Sequence, residues 1–497
     1  MTPRSERPRS EEGILDLRRR VVLALGLLLL MLYPHSGALG LASAPLLLLC
    51  VHAFVRVAGA LRQPATYAST PSALDERQLL RGLALLLAAL QLLRSPGDAL
   101  LASTSGIPHR LLSLLLAGIA LWATRATPSK QARGSGLLAA VAMLATGAVF
   151  AYLLIHAPSP RIDVFLLQQR GASLLTAGQN PYSALYPNPY DPVETTAFFG
   201  HYSAVLDHYP YPPVSLLLTA LMHRITADVR WLFLLAHLGV AGALYWLGRC
   251  RSESQSQRFD LGLTLACIHL LHPRGFLVVE QAWTEPLVAG SSALWVLFRA
   301  HHASSNMPSQ TASPPRWTLV IDSALLGLAL SCKQYALLFL TPYLYRPLLA
   351  WLSPPWLQRQ RLLSLGLSLL PLLVGSVLFA LWQPGDFLED VVLFQLKQPF
   401  RSEALSLPAL LAAVSEIRLP GGFAAIGLLL PLVYLGMTRP PHLPRGLGGL
   451  LLLFSLMLFG FFVTAKQAFC NYYYLVGVLL LLTLTQLDVE PEQNLGA

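Results

Sequence analysis

Asp163, Asp191, Glu194, His201, Asp207 and His208 all fall inside one stretch, Pro158–Pro213, that is polar, aromatic and rich in proline, while the sequence around it is apolar. Carboxylates and imidazoles are the side chains that take protons from hydroxyls near neutral pH. A loop this long inside a compact membrane protein usually carries function. Asp163 follows an apolar run directly, so it reads as a general base at a membrane rim, as the cap of the next helix, or as an ion-pair partner of Arg161. Ile162, Phe165 and Leu166, then Ser173, Leu174 and Gly178, have the spacing of a short amphipathic helix stopped by glycine. His201 and His208 could contact a substrate or a metal, but two histidines without close companions make a weak metal site, and no metal or cofactor is expected. The prolines of Asn180-Pro-Tyr182, Pro187-Asn-Pro-Tyr-Asp-Pro192 and Tyr209-Pro-Tyr-Pro-Pro213 fix turns and extended backbone. Their tyrosines line a site or form an interfacial aromatic belt, the belt being expected for most.

The elements that must hold this loop are membrane helices. Of the 497 residues, 54% are hydrophobic and 12% charged, against about 25% charged in soluble domains, which predicts an all-α polytopic membrane protein. The formal net charge of +10 does not indicate nucleic acid, because the basic residues sit in short connectors between apolar runs. Five scattered cysteines suggest neither a disulfide framework nor a zinc site. The basic N-terminus and the run Val21–Leu32 could pass for a signal peptide, but Pro45 and further apolar sequence favour a helical hairpin turning at Pro34–Gly37.

Apolar runs near 21–35, 38–58, 79–95, 107–124 and 136–156 precede the loop, with Arg62, Arg77, Arg81, Arg125, Lys130 and Arg133 in their connectors. By the positive-inside rule the chain starts inside and the loop lies outside. Val214–Ile225 is too short to span and is expected to lie in the outer interface, after which 229–248 re-enters. Continuing the alternation gives about fourteen spans with both termini cytoplasmic. The domain boundaries are then 1–135 for a tail and about four additional helices, 136–486 for a catalytic bundle with residues 157–228 as its outer loop, and 487–497 for an acidic tail. On this topology Asp163, Arg274, Glu280, Glu285, Lys333, Arg401 and Lys466 map near one face. Such a rim suits an enzyme whose lipid substrate stays in the bilayer while its headgroup reacts outside. A transporter or flippase for a glycolipid, the alternative, would place ionisable residues at mid-membrane in two matching halves. GxxxxGK[ST], HExxH, G-x-S-x-G and Asp-x-Asp motifs do not occur, so a nucleotide-activated donor lacks an obvious holder.

Asp163 after a span, Gly178-Gln-Asn-Pro-Tyr182, Tyr209-Pro-Tyr-Pro-Pro213, Glu280-Gln281, Gly327-Leu-Ala-Leu-Ser-Cys-Lys333 and Lys466-Gln-Ala-Phe-Cys-Asn-Tyr-Tyr473 together resemble the GT-C superfamily. They are most similar to the polyprenol-phosphate-mannose-dependent mannosyltransferases of glycosyltransferase family 87, over roughly Gly136–Gln486. The additional helices before Gly136 depart from that pattern. The resemblance implies a GT-C-type bundle, a polyprenyl-phosphate-linked sugar donor, a lipid or glycan acceptor and transfer with inversion in a cell membrane. It implies Asp163 as the base, and Lys333 as the cation on the donor phosphate, with Arg274, Arg401 and Lys466 as further contributors to that clamp. A clamp of this kind strengthens as charge develops on the leaving group; a snorkelling interfacial lysine is the plainer account of Lys333. Glu280, Gln281, Glu285, His208 and Tyr211 are the candidates for sugar or acceptor contact, the two glutamates serving equally well as partners of rim cations.

Overall fold

The computed structural model describes residues 9–34, 38–61, 75–93, 106–125, 128–156, 159–254, 259–305, 316–341, 356–415, 417–438 and 446–487. The expected turn at Pro34–Gly37 and the acidic tail fall largely outside them, as do Arg62 and Arg258. The regular structure of the described residues is helical apart from one two-residue antiparallel ladder, Tyr186–Pro187 against Val205–Leu206. Among the described residues, five helices are long and apolar enough to cross a membrane: Ser43–Ala60, Gly106–Ala123, Gly134–His156, Arg230–Cys250 and Leu363–Trp382. Five more apolar helices, among them Leu447–Val463 and Cys470–Gln486, are shorter.

Burial sorts these helices into layers. On the outermost, Leu370, Leu373, Val374, Val377, Leu378 and Leu381 form an exposed apolar face, a surface that suits hydrocarbon as solvent. Leu447–Val463 and Cys470–Gln486 are apolar on every side and buried on almost every side, which is what a central position demands. Close crossings depend on glycine. A Cβ on Gly262 would stand 2.2 Å from the Tyr245 carbonyl oxygen, and one on Gly427 2.0 Å from that of Gly460. Small residues at these points let helix backbones touch.

Two local features matter most for the loop. Pro213–Thr226, the run expected at the interface, is a 14-residue helix, shorter than the ~20 residues a span needs. It buries Ser215, Leu216 and Thr219 while Leu217, Leu221 and Ile225 face outward. The expected amphipathic helix is Asp163–Thr176, closed by Gly178 at φ 77°, a conformation that glycine adopts without strain.

The belt of loop tyrosines is the clearest departure from expectation. Tyr182, Tyr186, Tyr209 and Tyr211 are buried in a second core with Val164, Leu167, Leu216, Phe379, Phe387 and Val391. Three of their hydroxyls are satisfied locally, which removes the reason to face headgroups: Tyr182 donates to the Tyr211 carbonyl at 2.9 Å, Tyr186 to that of Pro181 at 2.7 Å and Tyr209 to Gln168 at 3.0 Å. The Tyr209 ring lies directly on Gly171, where a Cβ would approach it to 2.5 Å. The loop is thus a small packed lid on the ends of the helices.

Candidate active site

Asp163 is the first residue of its helix, after Ile162 in extended conformation. Its Oδ1 accepts the Val164 N–H at 2.8 Å and the Tyr190 hydroxyl at 2.8 Å, and the same hydroxyl accepts Asp163's own N–H at 3.1 Å. Tyr190 therefore clamps one oxygen and the backbone together. Among the described residues Oδ2 has no hydrogen-bond partner, and the side chain is half-buried. The helix N-terminus also favours negative charge at this position. Arg161 does not pair with Asp163, as one reading of the sequence had it. It donates to the Pro189 carbonyl at 2.6 Å and to Glu194 at 2.7 Å, because Asp191 and Glu194 form the capping box of helix Pro192–Phe199 and bring a carboxylate nearer. Burial and the adjacent Asp163 carboxylate raise the Tyr190 phenol well above its ordinary range, so it stays a donor.

Lys333 follows the helix Arg316–Ser331, which Gly327 lets settle against Leu363–Trp382: a Cβ there would meet the Ser368 carbonyl oxygen at 2.5 Å. The Lys333 ammonium is 3.5 Å from Glu285 Oε1, which also accepts the Tyr335 hydroxyl at 2.6 Å. Three tyrosine rings surround the cation, Tyr211 at 5.1 Å, Tyr472 at 5.9 Å and Tyr335 at 6.0 Å. Lys333 is 7% exposed and Glu285 fully buried. Gln334 donates to the carbonyls of Pro210 and Val391, which ties the segment bearing Tyr211 to the Lys333 turn.

Tyr211, whose ring is 5.1 Å from the Lys333 ammonium, lies within electrostatic reach of both Asp163 and Glu285. His208 lies within electrostatic reach of Asp163, stacked at 3.8 Å on Phe394, with Nδ1 3.3 Å from Asp207. Burial lowers its pKa, so the ring is neutral, and its Nε2 makes no hydrogen bond among the described residues. Arg401 lies within electrostatic reach of Tyr190 and Tyr472, pairs with Glu403 and covers the Phe198 ring at 4.0 Å. Six of the candidate residues thus come together: Asp163, His208, Tyr211, Glu285, Lys333 and Arg401.

The other four take different partners. Arg274 donates to the carbonyls of Leu32 and Tyr33, both at 2.7 Å, and so ties the end of the first helix to the bundle. Lys466 donates to the carbonyls of Leu396, at 3.1 Å, and Gln398. Gln281 accepts the Trp283 indole N–H at 2.9 Å. Glu280 is buried at the end of the short helix Gly275–Glu280.

A scan of protein-family models and searches of curated proteins and of solved structures found no match. The site is therefore read from its own geometry.

That geometry contains groups the sequence reading passed over. Tyr190 belongs to the tyrosines expected in the belt, and its partner Asp163 lies 27 residues away. Asp390 was not singled out at all. It stands in a π-helical turn, Glu389–Leu393, is 1% exposed, and its Oδ2 accepts the Tyr209 N–H at 2.7 Å. Its signal was an acid directly before Val391-Val392. Burial, reinforced by Asp386, Asp207 and Glu389, raises its pKa from 3.8 to about 8 against the opposing pull of the Tyr209 N–H. The folded state then holds a proton that the unfolded chain releases between pH 3.8 and about 8, so stability falls as pH rises through that window. Asp390→Asn keeps an acceptor for Tyr209 and removes the titration. Thermal midpoints of detergent-purified protein should decline from about pH 5 to about pH 8.5 in the wild type and decline less in this variant. An unchanged slope would put the titration elsewhere.

Proposed function

We propose that this chain is an inverting membrane glycosyltransferase of GT-C type. On this reading it moves a mannose-like hexose from a polyprenyl-phosphate donor to a lipid or glycan acceptor on the extracytoplasmic face of a cell membrane. The bundle would comprise about fourteen spans with both termini cytoplasmic, as the charge of the connectors suggests. The observation that carries the proposal is that a half-buried carboxylate with a free oxygen, Asp163, and a buried ammonium, Lys333, both lie within electrostatic reach of one tyrosine, Tyr211.

In the proposed reaction Asp163 Oδ2 takes the proton from the acceptor hydroxyl while Tyr190 holds Oδ1. The acceptor oxygen bonds to the anomeric carbon as the bond from that carbon to the phosphate oxygen breaks. The polyprenyl phosphate leaves with the extra negative charge, which Lys333 neutralises in a low-dielectric setting where a fixed cation acts strongly. Arg401 adds positive potential at the rim. Lys466 and Arg274, engaged with carbonyls, support the clamp only through the backbone they hold.

The test is transfer of labelled hexose from a synthetic polyprenyl-phosphate-hexose to membrane lipid or glycan acceptors by the purified protein. Time-dependent transfer supports the proposal. Movement of the glycolipid across reconstituted vesicles without any transfer would replace it with the transporter reading.

A further inference from the structure

The segment that follows Leu363–Trp382 has three sides, and one of them is apolar and exposed. Pro384–Leu388 is α-helical, Glu389–Leu393 is a π-helical turn and Phe394–Lys397 is α-helical again. Phe387, Asp390 and Val391 are buried against the lid. Glu389 and Lys397, eight residues apart, form an exposed ion pair at 2.5 Å, so both lie on a second side. Leu388, Val392 and Leu396 make the third, 52%, 45% and 71% exposed. Residues four apart on an α-helix drift by about 40° round its axis. The wider π turn takes up that drift and keeps these three side chains in line.

The level of this segment is fixed by its contacts. Leu363–Trp382 is long and apolar enough to span a membrane, and Leu378, Leu381 and Trp382 at its end are exposed. Indole rings collect where hydrocarbon meets headgroups, so Trp382 marks that boundary. The chain does not rise away from it. The Tyr182 ring meets Phe379, in the last turn of the span, at 5.2 Å and Phe387 at 5.0 Å, so the segment folds back level with the span's end. The lid reaches deeper. A Cβ on Gly375 would stand 3.3 Å from Pro213 Cβ, and Gly375 lies about 10 Å from Trp382 along the helix.

We infer that Pro384–Lys397 lies in the membrane interface, its Leu388–Val392–Leu396 side among the acyl chains of the leaflet around Trp382. The Glu389–Lys397 pair then sits among the headgroups. An apolar stripe beside a charged one is what holds a helix in that plane, and here the stripe continues, in sequence and in level, the exposed apolar face of a span. The remaining side holds the lid and the Lys333 turn. Asp390 accepts the Tyr209 N–H at 2.7 Å, the Val391 carbonyl accepts Gln334 at 3.1 Å, and Gln334 and Gln395 both donate to the Pro210 carbonyl. The lid is thereby carried on an element seated in lipid as well as on the bundle.

The experiment places single spin labels on the full chain, purified and reconstituted in phosphatidylcholine vesicles. The background is Cys250→Ser, since Cys250 is exposed and the other four cysteines are buried. Leu388→Cys, Val392→Cys, Leu396→Cys and Glu389→Cys replace exposed side chains, so each should melt like the background protein. Labels at the three apolar positions should be relaxed by oxygen, which concentrates in the bilayer, severalfold more than by a water-soluble nickel chelate. Their depth should be about 5–10 Å beyond the headgroup boundary. The label at Glu389 should show the reverse preference. Nickel access at any apolar position equal to that at Glu389 overturns the inference and puts the segment in water. Protection of the three from both reagents also overturns it, and assigns the stripe to a protein surface. Spin–spin broadening that vanishes on dilution with unlabelled chain would then identify that surface as a second copy. None of these outcomes depends on glycosyl transfer.

Discussion

Asp163→Asn is expected to abolish hexose transfer, by 10²-fold or more, while leaving the protein folded and able to bind its donor. The reason lies in how the carboxylate is held. Oδ1 accepts from Val164 N–H and Tyr190 OH, and an amide oxygen can accept both. The asparagine amide nitrogen then takes the place of Oδ2, the oxygen without a partner, and cannot accept a proton from an attacking hydroxyl. The shape, the helix start and the Tyr190 clamp all survive, so activity is lost without a loss of thermal stability. The measurement pairs a transfer assay with a melting curve on the same preparation. Near-normal transfer would remove Asp163 from the chemistry. Tyr190→Phe should give a smaller loss, because it frees the carboxylate to rotate without removing it, and its effect should disappear in the Asp163→Asn background.

What the sequence revealed and what it hid divide along the distance between partners. The helix Asp163–Thr176 was legible because its apolar spacing and its terminal Gly178 are local signals. Lys333 was legible as a cation at a break between apolar runs. The short helix Pro213–Thr226 was legible from its length alone. The clamp on Asp163 was not, since Tyr190 lies 27 residues on, past the helix Asp163–Thr176 and a turn-rich stretch whose path no periodicity encodes. The Asp390 contact spans 181 residues and joins two loops that meet only after the bundle has formed. The tyrosines were misjudged for a related reason. Composition marks aromatic residues near a membrane surface, but it does not say whether the loop has enough apolar partners of its own to bury them, and Val164, Leu167, Phe379 and Phe387 supply those partners from distant segments. His237, His269 and His272 lie on apolar runs and are packed inside the bundle, each with one ring nitrogen unpartnered among the described residues. A pattern of apolar positions reports burial and is silent on the direction a polar atom faces.

Lys333 carries the second large expectation, and its difficulty is that stability and binding are linked through the same pair. Glu285 is fully buried, and Lys333 is its only cationic partner among the described residues. Lys333→Met removes the ammonium and leaves a buried carboxylate with one phenol donor, a loss that costs about 3–5 kcal/mol in comparable buried pairs. That variant should therefore melt far below the wild type, and poor donor binding by it would prove little. Adding Glu285→Gln removes the orphaned charge while keeping an acceptor for the Tyr335 hydroxyl, so the double variant should recover most of the lost stability. Binding should not recover with it, because no cation remains among the three tyrosine rings, and polyprenyl phosphate affinity should stay at least about 10-fold below wild type. Polyprenyl phosphate without its sugar is the right probe, since Glu285 is also a candidate for sugar contact. If Lys333→Met alone melts like the wild type, the pair is not buried as described. A stable double variant that binds the bare lipid phosphate normally would instead take Lys333 out of the clamp, and with it the reason to place a departing phosphate opposite Asp163.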